Sequence, residues 1–164
     1  MQFSEGQTVI HPQHGPATVT EVLDRQVNGG SRRYVQLRVH RTDLHVAVPV
    51  DKADEVGLRS VYAAAQVKEL LDVLGAPAGE PEEAWSRRFK ANSERLRTGD
   101  LALIAGVIRD LARRQEERGL SAGEKDMLKH ARSPVLAELA LALSITDAEA
   151  EELLDSTILG GHAS

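Results

Sequence analysis

The side chains able to do chemistry fall into a few clusters. His11 and His14 stand three residues apart around Pro12 and Gln13. Two imidazoles could begin a metal site, but zinc takes three or four ligands. No cysteine or nearby acid completes the set, and a turn explains the pair as well. Ser121 and Lys125 are four apart, one too many for a Ser-x-x-Lys pair. Glu116-Glu117 and the trio Glu149, Glu151, Glu152 read more simply as solvated helix faces than as acid–base pairs. A Gly-rich phosphate loop, a Rossmann fingerprint and a nucleophile elbow are all missing. The expectation is a chain that is not an enzyme, with no cofactor, no metal and no small-molecule substrate.

The cluster that stands apart is Trp85-Ser86-Arg87-Arg88. On a helix at about 100° per residue, Trp85, Phe89 and Leu96 share one stripe. Arg87, Arg88, Lys90, Arg95 and Arg97 spread over the opposite side. That places Trp85 with the core. Two features point the other way. Trp85 lies near the helix start, where its ring could project past the core, and it immediately precedes cations. A flat apolar side chain beside phosphate-binding cations suits a wedge between base steps, which unstacks bases at a few kcal/mol per step. Arg109, Arg113, Arg114, Arg118, Lys125, Lys129 and Arg132 extend the basic segment. The helix start at Ser121 adds amides that could bind a phosphate.

The net charge of −5 hides a strong asymmetry. Residues 84–133 hold twelve Lys/Arg against seven Asp/Glu, a balance of +5, whereas residues 134–164 hold six acids and no Lys or Arg. Such a split suggests a local surface for a polyanion; interleaved charges on solvated helix faces are the simpler alternative. A patch making ~3–4 phosphate contacts gives a modest, salt-sensitive affinity. A second attachment, to a protein, would raise the local concentration to about the millimolar range.

These residues need elements to position them. Residues 1–57 read as a β-module. Thr8-Val9-Ile10-His11 is a short β-branched run, and Asn28-Gly29-Gly30 is a hairpin signal. Val19 and Val22 are out of phase by one, which predicts a bulge or bend. Four or five short strands close most economically as a small bent barrel. Residues 58–164 read as helical. Ser60 precedes a run ending at Leu74, with Gly75 and Pro77 as stops. Pro81-Glu82-Glu83 suits the first turn of a helix running to Thr98-Gly99. Asp100 caps the next, striped by Leu101, Ile104, Ile108 and Leu111. Ser121 with Glu124, and Thr146 with Glu149, are capping boxes. Pro134 should kink or break the helix over 122–143, with Ser133 as a new cap. The fold class is therefore α+β. Without a charged-then-apolar leader or an apolar run near ~18 residues, the expected place is the cytoplasm, with no membrane partner. Zero cysteines exclude a disulfide scaffold.

Gly6-Gln7-Thr8-Val9-Ile10-His11-Pro12-Gln13-His14-Gly15, then Val48-Pro49 and Val56-Gly57-Leu58-Arg59, resemble the RNA-polymerase-interacting domain of the CarD family. Trp85 to Asn92, and Arg109 to Lys125, are similar to the CarD C-terminal domain. The resemblance implies a Tudor-like (SH3-like) β-barrel that binds the β subunit of bacterial RNA polymerase, followed by an all-helical domain on promoter DNA. It implies that Trp85 enters the minor groove at the upstream edge of the melted region and stabilises the open complex, without reading sequence. Arg87, Lys90, Arg114 and Lys125 are then the DNA contacts, and Arg25 and Val27 lie on the polymerase face. Ala47 departs from relatives that carry a basic residue there, and Pro134 departs from an unbroken helix. The alternatives are an independent helix-turn-helix repressor, with Gly119-Leu120-Ser121 as the turn, and a protein scaffold with no DNA role.

Overall fold

Alternation of Val and Leu with polar residues drives the first sixty residues into an antiparallel sheet ordered β4-β3-β2-β1-β5. The strands are β1 Thr8–His11, β2 Gly15–Val27, β3 Gly30–Val39, β4 His45–Pro49 and β5 Arg59–Ser60. The computed structural model describes residues 2–78 and 84–162. The pairing of β2 with β3 shifts register between Val19 and Glu21. This bulge lets Val19 and Val22 both pack on the core despite their odd spacing. Val9, Ala17, Val35, Leu37, Val48 and Leu58 fill the same core. Asn28 and Gly29 both take positive φ, 44° and 83°, as a tight two-residue hairpin loop requires.

The chain divides by its contacts into Met1–Val61 and Tyr62–Ser164. The division falls a few residues beyond the expected 57 because Arg59 and Ser60 add a strand, pairing with Ile10 and Val9. Ser60 therefore does not open a helix. A short 3-10 turn, Val50–Lys52, and α1, Ala53–Val56, complete the first unit.

The second unit holds α2 Ala64–Gly75, α3 Trp85–Arg97, α4 Leu101–Glu117, α5 Ala122–Leu143 and α6 Asp147–His162. Its core includes Leu70, Leu74, Ile108, Leu111, Leu139, Leu154 and Ile158, each buried. The expected caps are in place. Asp100 Oδ1 accepts the Leu103 amide at 3.1 Å, Ser121 Oγ that of Glu124 at 3.2 Å, and Thr146 Oγ1 that of Glu149 at 3.1 Å. Gly119, at φ 81°, ends α4 in the left-handed conformation. The expected start at Pro81-Glu82-Glu83 lies outside the described residues.

Pro134 neither breaks nor caps. α5 runs through it for 22 residues, with Val135 and Leu139 buried just beyond. Proline removes the amide that would bond the His130 carbonyl. Both residues are exposed, so water can take that carbonyl, while core packing on the opposite face holds the helix. Among the described residues no helix is long and apolar enough to cross a membrane.

Candidate nucleic-acid interface

Trp85 is the first residue of α3, and its side chain is not buried with the core; the residue is 48% exposed. Its ring stacks on Phe89, with centroids 5.2 Å apart and planes at 22°. The indole Nε1–H donates to Ser121 Oγ at 3.0 Å. Ser121 is the N-cap of α5, so the start of α3 and the start of α5 meet at this ring. Arg87 and Lys90 on α3 and Lys125 on the first turn of α5 are exposed. The structure thus joins Trp85 to the helix that carries Lys125, with Arg87 following two residues after the ring.

The basic face is smaller than the sequence suggests. Arg88 turns inward. Its Nε donates to Glu124 Oε2 at 2.8 Å and its Nη2 to Oε1 at 3.3 Å, with side-chain exposures of 10% and 2%. The Arg88 guanidinium first of all, together with bonds from Ser121, holds the Glu124 carboxyl below its ordinary pKa, against a burial penalty that pushes it up. Arg113 is buried and donates to the carbonyls of Leu74, Ala76 and Ile158. Burial, then the neighbouring Arg109 cation, lowers its pKa from the usual arginine value. Arg109 binds Asp110 and the Val73 carbonyl, and Arg132 binds Asp155 and Glu151. Four of the twelve cations expected to face a polyanion therefore hold the fold together. Apart from Asp110, beside Arg109 on the same helix, their partners lie on other segments of the unit, distant in sequence.

Arg114 is half-buried and lines a groove between α3 and α4 with Arg95, Arg118, Asp110 and Glu117. Its Nε is buried without a hydrogen-bond partner. At the start of α5, Ser121 takes the Glu124 amide, and the aromatic pair packs beside Gly123, where a Cβ would stand 3.3 Å from Phe89 Cε2 and 3.9 Å from Trp85 Cζ2.

On the first unit, Arg25 and Val27 lie on the last turn-ward residues of β2. Arg25 faces Arg32 across the hairpin and Val27 faces Gly30. The Tyr34 ring carries both guanidiniums, at 5.2 and 6.0 Å, which offsets their repulsion. Val27 is exposed, as is Ala47, opposite Gln36 on β4. At the other end of the sheet, His11 Nδ1 accepts the amides of Gln13 and His14 at 3.1 and 3.3 Å. Desolvation first, then His14, lowers the His11 pKa. Among the described residues no group of three His, Cys, Asp or Glu could hold a metal ion.

Comparison with known proteins covers both units. Residues 69–155 match the family described as CarD, C-terminal domain, and residues 3–62 match the CarD-like/TRCF RID domain. The chain is 26% identical over 145 residues to the "Putative transcription factor YdeB" of Bacillus subtilis (strain 168), covering 88% of this chain and 95% of that one. A solution structure of the 72-residue N-terminal domain of Myxococcus xanthus CarD is 27% identical, covers 36% of this chain and 79% of that one, and superposes with a TM-score of 0.32. With one CarD domain matching more than half of its length and a CarD-like domain before it, the chain belongs to the CarD family.

Proposed function

We propose that the chain is a cytoplasmic transcription regulator whose first unit binds the β subunit of RNA polymerase and whose helical unit stabilises the open promoter complex. Trp85 is the minor-groove contact at the upstream edge of the melted DNA. Arg87, Lys90, Arg114 and Lys125 hold the phosphates, and the Arg25–Val27 end of the hairpin faces polymerase. Family membership supports a role in transcription. The observation that carries the DNA reading is the half-exposed Trp85 ring, presented at a helix start two residues before Arg87. A buried ring could not enter a groove. A ring on an open helix face without cations would have nothing to hold the backbone while it unstacks bases.

A helix-turn-helix repressor fits less well. Its recognition helix would be α5, entering the major groove with its first residues. Those residues are engaged: Glu124 is buried against Arg88, and Phe89 and Trp85 pack over Gly123.

The lifetime of polymerase–promoter open complexes tests the proposal. Trp85→Ala should shorten it while leaving polymerase binding intact. A wedge worth about 1.4 kcal/mol changes the lifetime about tenfold. An unchanged lifetime would rule out the wedge.

A further inference from the structure

A tryptophan that is half in water at the first turn of a helix ought to sample several rotamers. This one is fixed on three sides. Phe89 stacks beneath it and Gly123 leaves room for its edge. Ser121 receives its N–H.

The third contact is the most demanding. A serine hydroxyl offers one donor and two acceptor sites. Ser121 uses all three. It accepts the indole N–H at 3.0 Å and the Glu124 amide at 3.2 Å, and it donates to Glu124 Oε1 at 3.2 Å. Glu124 is itself held by Arg88, one turn along α3 from Trp85. The loop closes on the helix it began on. Donation to the carboxylate turns the hydroxyl lone pairs toward the two N–H groups. Glycine could still start the helix, and asparagine or aspartate could still cap it. Glycine and aspartate have no side-chain hydrogen to donate to Glu124, and asparagine would have to donate from a different atom than the one that accepts the indole.

We propose that Ser121 is a positioning residue for Trp85. Its hydroxyl, oriented by the Arg88–Glu124 pair, holds the indole in the orientation that enters DNA. The inference rests on the wedge reading above. Its physical content is pre-organisation. A ring already fixed loses little freedom on insertion, and freeing one such side chain weakens binding by roughly two- to tenfold.

The test uses the full chain with Ser121→Ala, Ser121→Gly, Ser121→Thr and Trp85→Ala. Trp85 is the chain's one tryptophan, so its emission maximum and anisotropy report the ring directly. Ala and Gly should both red-shift the emission, lower the anisotropy and shorten open-complex lifetime about two- to tenfold. Thr, which keeps the hydroxyl, should match the native chain in all three. Glycine is a tolerated N-cap, so a change seen with Ala but not Gly would reflect lost capping and would overturn the inference. Native fluorescence in both variants overturns it too, as does failure of Thr to restore the signal. So does a native lifetime in both while Trp85→Ala shortens it. If Trp85→Ala itself leaves the lifetime unchanged, the wedge reading fails, and the fluorescence still tells whether Ser121 fixes the ring.

Discussion

Replacing Arg88 by methionine isolates the buried ion pair beneath the interface. Methionine keeps most of the volume and removes both bonds to Glu124. Glu124, at 2% side-chain exposure, is then a buried carboxylate without a counter-ion, left with the Ser121 hydroxyl at 3.2 Å. Breaking such a pair typically costs about 3–5 kcal/mol. Protonation sets a ceiling. A carboxyl of ordinary pKa about 4.3 can be neutralised at pH 7 for about 3.7 kcal/mol, at 1.36 kcal/mol per unit. The expected loss at pH 7 is therefore about 3–4 kcal/mol. In the native chain the Glu124 pKa is depressed, so its contribution is complete above the unfolded value and is lost as pH falls through the folded one. In the variant, burial without a counter-ion outweighs the Ser121 bond, raises the pKa and reverses the sign: the penalty is greatest at neutral pH and fades on acidification. Near pH 5 the neutralisation cost is only about 1 kcal/mol. Urea denaturation followed by circular dichroism at both pH values measures this. Arg88→Met combined with Glu124→Leu should recover most of the loss, because no charge is left buried. A loss below about 1 kcal/mol at pH 7, typical of a solvent-screened surface pair, refutes the reasoning. An equal loss at both pH values refutes it as well.

Pro134→Ala restores a backbone donor inside α5 and should raise stability by about 1–3 kcal/mol, read as a higher urea midpoint; an unchanged or lower midpoint would mean the helix depends on the proline. His11 has a folded pKa below its unfolded one, so its contribution is complete above about pH 6.5 and declines as pH falls toward the folded value. Amide exchange in β1 and β2 should accelerate on going from about pH 7.5 to 5.5, after correction for intrinsic rates, and should lose that dependence in His11→Asn.

Local signals were legible wherever the partners are close in sequence. Asp100, Ser121 and Thr146 cap amides three residues away, and Asn28-Gly29 closes a two-residue loop. The odd spacing of Val19 and Val22 pointed to the bulge. Distant partners were illegible. Arg88 finds Glu124 36 positions on, and Arg113 finds the Ile158 carbonyl 45 positions on. By period Arg113 looks like a solvated cation, and Arg88 only flanks the apolar stripe of its helix. Glu138, whose Oε2 accepts the Tyr62 amide 76 positions away, was missed for the same reason. Pro134 shows the converse error. A local rule predicted a kink or a break, and packing overrode the break. For Trp85 the stripe argument pointed inward, but the ring stands at the end of its helix, where the stripe no longer has a core to face.

Arg113 carries a consequence for how the helical unit opens. Its guanidinium donates to carbonyls at the C-terminal end of α2 and near the end of α6. One cation thus closes two helix ends at once. Neither end can unwind without stranding the charge that serves the other. Helix ends usually fray separately and at little cost. The tails of α2 and α6 should therefore open together and show similar amide-exchange protection, although more than eighty residues of chain separate them.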